Sequence, residues 1–127
     1  MILFDHIEVH VKNSEQYAIF LTELFNYGRF KKISDNNTYM FIGSSDIHIE
    51  IKENDKYQTS FNIVDGIGFC MPCLRMKGAE AHLKKIKKLN IDSEIQNPDG
   101  KCFFFTDYEG IKWHFKDYDV QDIYINI

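Results

Sequence analysis

Phe4-Asp5-His6-Ile7-Glu8-Val9-His10-Val11 is the stretch from which the rest of the chain is read. At the two-residue period of a strand, Phe4, His6, Glu8 and His10 share one face, and Asp5, Ile7, Val9 and Val11 share the other. The aliphatic side is an ordinary surface for burial. The other side carries two imidazoles and a carboxylate, groups that bind metal ions or move protons. These eight residues alone suit a solvated strand face as well as a pocket wall.

The same pattern returns at Asp46 to Lys52, where Ile47, Ile49 and Ile51 alternate with His48 and Glu50. Between the two strands, Asn13-Ser14-Glu15 opens a helix with Ser14 as the expected N-cap. Tyr17, Phe20, Leu21, Leu24 and Phe25 form its stripe, and Gly28 ends it. Arg29 to Ser34 and Thr38 to Ile42 read as a hairpin around Asp35-Asn36-Asn37. Glu53 to Asp65 is polar and aperiodic, a linker.

The order then repeats. Gly66 to Leu74 reads as a strand and Gly78 to Asn90 as a helix with Ala79, Leu83, Ile86 and Leu89 inward. Ser93 to Gln96, Cys102 to Thr106 and Ile111 to Lys116 read as strands, separated by Asn97-Pro98-Asp99-Gly100 and Asp107-Tyr108-Glu109-Gly110. Superposing the halves sets His6 opposite Phe69, Asn36-Asn37 opposite Asp99-Gly100, and Glu50 opposite His114. A duplicated unit too small to bury its own sheet is the expected architecture. Residues 118–127 lie beyond the repeat, as an edge strand or a dimer contact.

Composition bounds the function. The chain has 127 residues, 44% hydrophobic and 15% aromatic, enough for one packed domain and far from a disordered composition. A net charge of −4 argues against nucleic acid as partner. Lys84, Lys85, Lys87 and Lys88 form one basic cluster, the solvated side of a helix. No apolar run approaches a membrane span, and Met1-Ile2-Leu3-Phe4 has no basic n-region, so a cytoplasmic home with reduced cysteines is expected. Cys70-Met71-Pro72-Cys73 mimics a redox Cys-x-Pro-Cys motif. It falls inside the expected strand rather than at a helix N-terminus, which disfavours redox chemistry.

The opening Asp5-His6-Ile7, the Gly66-Ile67-Gly68 that opens the second half, and the run Asp107-Tyr108-Glu109-Gly110-Ile111-Lys112-Trp113-His114-Phe115 together resemble the vicinal oxygen chelate superfamily. That group contains glyoxalase I, extradiol dioxygenases, fosfomycin resistance proteins and bleomycin-binding proteins. The resemblance spans residues 4 to 117. It implies an α+β fold of two tandem βαβββ modules (4–53 and 66–117) forming an incomplete mixed β-barrel around a cleft, helices outside. It also implies four ligand positions, here His6, Glu50, Phe69 and His114.

Two imidazoles and a carboxylate suit Zn, Ni, Fe, Co or Mn, so His6, Glu50 and His114 are the expected metal ligands. Phe69 and Met71 would form an apolar wall for substrate. His10 and His48 either touch substrate or face solvent, Lys112 balances an anion or extends into water, and Glu8 is the spare carboxylate for general-base work. The resemblance thus implies a small metalloenzyme acting on an oxygenated small molecule by isomerase, lyase, epimerase or oxygenase chemistry. The alternative is a metal-free sequestering protein of the bleomycin-resistance kind, and a third reading is a domain kept for dimer contacts alone. A homodimer is the assembly the resemblance implies.

Overall fold

The computed structural model describes residues 1–44, 47–54, 71–89 and 93–121. The chain divides into two compact units, Met1–Gln58 and Thr59–Ile127.

In the first unit β1 (Ile7–Val11), α1 (Ser14–Phe25), β2 (Arg29–Ser34), β3 (Thr38–Ser44) and β4 (Ile47–Glu53) follow in order. They form a mixed sheet ordered β1-β4-β3-β2, with β1 parallel to β4 and the other pairs antiparallel. Parallel pairing of the first and last strands requires a crossover, and α1 begins it. The buried side is the aliphatic one: Val11, Ile49 and Ile51 meet Phe41 and the α1 stripe of Tyr17, Leu21 and Leu24, none more than 1% exposed. Each such side chain stabilises the fold by roughly 1.5–3 kcal/mol.

The second unit repeats the plan with β5 (Cys73–Met76), α2 (Ala79–Leu89), β6 (Glu94–Gln96), β7 (Cys102–Thr106) and β8 (Lys112–Asp117), ordered β5-β8-β7-β6. Phe103, Phe105, Trp113 and Phe115 fill its buried side with Ala79, Leu83 and Ile86 of α2. The fold is therefore α+β, two βαβββ units with unclosed four-stranded sheets.

Several expected boundaries move. The N-cap of α1 is Asn13, whose side chain accepts from the Gln16 N–H at 2.9 Å; Ser14 is the first helical residue. The helix ends at Asn26, which takes the left-handed conformation at φ 55°, a role asparagine fills with little strain. Gly28, expected to stop the helix, has another purpose, since a Cβ there would meet the Phe41 ring at 2.8 Å. The strand expected over 66–74 lies partly outside the described residues, and its described part starts at Cys73 and runs to Met76. The linker from residue 55 onward and the end of the chain from residue 122 also lie outside them.

Each unit closes its own helix with the last residue of its own last strand. Glu53 Oε1 accepts from the Ser14 N–H at 3.2 Å. Asp117 Oδ2 accepts from the N–H groups of Gly78 and Ala79 at 3.1 and 2.9 Å. Both carboxylates satisfy helix donors that have no partner within the helix and face the positive end of its dipole.

Candidate metal centre

In the first unit the unburied sheet face carries Glu8 and His10 from β1 and His48, Glu50 and Lys52 from β4. Glu8 pairs in register with Glu50, and His10 with Lys52. His6 stands one residue before β1, and its Nε2 lies 3.0 Å from Glu50 Oε2. On the far side of the ring, Nδ1 donates to Asp5 Oδ2 at 2.6 Å. His6 is thus gripped at both nitrogens by carboxylates, and its pKa is raised, first by the Asp5 hydrogen bond and then by the charges of Asp5 and Glu50.

Asp5 is a functional candidate that strand alternation misses, because it assigns Asp5 to the aliphatic side. Asp5 precedes the first paired residue, Ile7, so the pleat does not bind it and its carboxylate reaches the ring of its neighbour. The signal available in the sequence was adjacency alone. A carboxylate on the outer nitrogen of a metal-binding histidine fixes the tautomer and strengthens the ligand.

Glu8 is held on both sides, by His10 Nε2 at 2.8 Å and Lys52 Nζ at 3.0 Å. These bonds, that of His10 foremost, lower its pKa, so the carboxylate is ionised at neutral pH. His48 Nδ1 lies 3.2 Å from the Asp5 carbonyl oxygen.

In the second unit His114 is the central residue of β8, paired with Cys73 of β5 on one side and Phe104 of β7 on the other. The Phe104 ring stacks on the imidazole at 4.3 Å and 17°, fixing its plane. Cys102 Sγ lies 3.0 Å from His114 Nε2. Burial, then the charge of Lys116, lowers the pKa of His114, which favours the neutral, ligating form. Lys112 lies two residues along the same face, half-buried like Met71. Phe69 lies outside the described residues.

The pairing register revises one correspondence between the halves. Glu8 pairs with Glu50 and Cys73 pairs with His114, so Cys73 stands where Glu8 stands. Two residues earlier, Met71 takes the place of His6. Superposing the two halves by sequence puts Phe69 there instead, because strand alternation survives a slip of two residues unchanged.

Cys73 opens a strand and does not lie at the start of α2, which begins at Ala79. Burial pushes its thiol pKa up, the reverse of a redox cysteine.

His6 and Glu50 fit a divalent ion. Bonds of about 2.1 Å at right angles place two donors ~3.0 Å apart on one ion, the separation observed. Among the described residues, no three His, Cys, Asp or Glu side chains converge to hold a metal. No described helix is long and apolar enough to cross a membrane.

No family model and no curated protein matches the sequence. Among solved structures, a FosX fosfomycin resistance protein from Listeria monocytogenes, complexed with Mn(II) and 1S,2S-dihydroxypropylphosphonic acid, is similar at TM-score 0.66 and 20% identity, covering 91% of this chain and 90% of that one. FosX from Mesorhizobium loti is similar at 0.66 and 17%, covering 91% and 92%. A hypothetical protein from S. aureus is similar at 0.60 and 16%, covering 91% and 96%. The tandem βαβββ fold of this chain is that of the FosX proteins.

Proposed function

We propose that the protein is a metal-dependent enzyme acting on a small, oxygen-rich and anionic substrate. The observation that carries this reading is the pair of donors His6 Nε2 and Glu50 Oε2, 3.0 Å apart, with Asp5 behind the imidazole. His114, the third expected ligand, belongs to the second unit. Two of the FosX structures that share the fold are complexed with Mn(II), one with 1S,2S-dihydroxypropylphosphonic acid and one with sulfate, which supports both the ion and the charge of the substrate.

When bound, the ion supplies Lewis-acid polarisation of neighbouring substrate oxygens. His6 and Glu50 hold and orient it. Asp5 keeps Nδ1 of His6 protonated, so that Nε2 is the ligating nitrogen. Glu8, ionised and held by His10 and Lys52, accepts a proton from the substrate or an attacking water at its carboxylate. Its lowered pKa makes it a weak base, suited to a proton already acidified. Isomerase, lyase, epimerase and oxygenase chemistry all begin from such a complex.

The same His6–Glu50 contact is also a satisfied ion pair with no metal, which favours the sequestering alternative. Titration of metal-free protein with Mn(II), Ni(II) and Zn(II) separates the two. Stoichiometric uptake, lost in His6→Ala and Glu50→Gln, supports the enzyme; no uptake of any of the three ends that reading.

A further inference from the structure

The second sheet places two thiols on either side of His114. Cys73 is its register partner on β5, and Cys102, on β7, is two residues from its other register partner, Phe104. Residues paired directly across neighbouring strands share a face, as do residues two apart on one strand. All three side chains therefore occupy the face opposite the buried Trp113 and Phe115. Cys102 and His114 already touch at 3.0 Å between Sγ and Nε2. The imidazole cannot swing away freely, because Phe104 stacks on it. Cys73 faces His114 directly across the β5–β8 pair.

We propose that this face is a site for a thiophilic metal ion, such as Zn(II), Cd(II) or Cu(I), with Cys102 and His114 as its first two ligands. Cys73 is the third ligand and reaches the ion by a change of its own side-chain rotamer. That change is required because no three donors converge in the described conformation. The chemistry selects the class of ion: thiolate and imidazole bind soft and borderline ions well, whereas Mn(II) and Mg(II) prefer carboxylate and water. Charge supports it too. Lys112 and Lys116 lie on the same strand and face as His114, and a divalent ion bound by two thiolates leaves that group neutral. Each ligating thiol gives its proton to solvent as it binds. The inference shares His114 with the metalloenzyme reading and does not rest on His6 or Glu50.

The test uses the full-length reduced, metal-free protein, titrated with Cd(II) alone and then Co(II) alone while thiolate-to-metal charge-transfer absorbance is followed. A band that saturates near one equivalent is expected. Cys102→Ser and Cys73→Ser should each remove about half of its amplitude, and His114→Ala should weaken binding by at least ~10-fold. Cys70→Ser, as a control, should leave the band intact. Circular dichroism checks the fold of each variant, and Cys102→Ala replaces Cys102→Ser should the serine variant unfold. His6→Ala should keep the band even where it loses Mn(II), so failure here and failure of the enzyme reading are separate results. Absence of a thiolate band in the unmodified protein, or a band indifferent to loss of Cys102, overturns the proposal.

Discussion

Asp117 caps α2 from the end of β8 as Glu53 caps α1 from the end of β4. The two carboxylates are 64 residues apart, while the helix starts they bind, Ser14 and Ala79, are 65 apart. Glu8 and Cys73, set by strand pairing, are also 65 apart. Helix starts and first strands thus agree on one offset, and last strands and their caps on another. One residue has been gained or lost between the helix and the last strand, and Met71 is the counterpart of His6.

A histidine at 71 should then restore a donor at the repeat position. Met71→His is expected to raise affinity for Ni(II) or Zn(II) by at least ~10-fold, the order of a single added imidazole in such sites. Calorimetric titration reads it directly. Phe69→His, the substitution favoured by matching the two sequences without pairing information, should produce no such gain. The opposite ranking would make Phe69 the counterpart of His6.

In the proposed site Asp5 acts through its hydrogen bond to His6. Asp5→Asn removes the carboxylate from Nδ1 and should weaken Mn(II) affinity by 10–100-fold, the usual range for a partner behind a ligating histidine. The same change should lower the His6 pKa, since the Asp5 hydrogen bond is the main cause of its elevation. Imidazole proton shifts followed by NMR against pH report this without any metal. An unchanged His6 titration would show that the contact is not maintained in solution.

Alternation was enough to find the strands, the buried faces and the ionisable face that carries Glu50, because a period of two is preserved wherever one face is buried; it was the family resemblance that brought His6 to Glu50. Helix stripes likewise fixed α1 and α2 to within a residue or two. What alternation cannot carry is absolute register. A slip of two residues keeps every side chain on its face, so Phe69 and Met71 look equivalent until hydrogen bonds between β5 and β8 decide. Contacts made outside paired strands escape it as well. Asp5 was misassigned because it lies before the pleat begins, and the Cys102–His114 contact escaped because the two belong to different strands with a turn between them.

Stability at low pH should depend on Asp117. Its hydrogen bonds, that from the Ala79 N–H first, hold its pKa down to about 2 from an ordinary 3.8. A carboxylate with a depressed folded-state pKa contributes stability that is complete above its unfolded value and lost as pH falls through the folded one. Asp117→Asn is therefore expected to lower Tm by several degrees at pH 7, with the difference unchanged down to about pH 4. Between about pH 4 and pH 2 the gap should close. Thermal melts across this range check the sign: a gap that widens on acidification would contradict the assignment.

The turn ahead of β8 is organised by a single buried carboxylate. Asp107, 2% exposed, accepts at Oδ1 from the N–H groups of Glu109 and Ile111 at 2.9 and 3.0 Å, and at Oδ2 from Trp113 Nε1 at 3.1 Å. Trp113 is fully buried and adjacent to His114, so this turn also sets where the imidazole begins its reach. Asp107→Ala strands three donors, each costing roughly 1–3 kcal/mol when left unsatisfied. A total loss of about 3 kcal/mol or more is expected in urea unfolding. Trp113→Phe removes one of those donors and part of the ring, and should cost less. In the double variant the Oδ2 contact is already absent, so the two losses should fall short of additivity by ~1–2 kcal/mol. Full additivity would mean that the indole hydrogen bond contributes nothing and that Asp107 acts on the backbone of the turn alone.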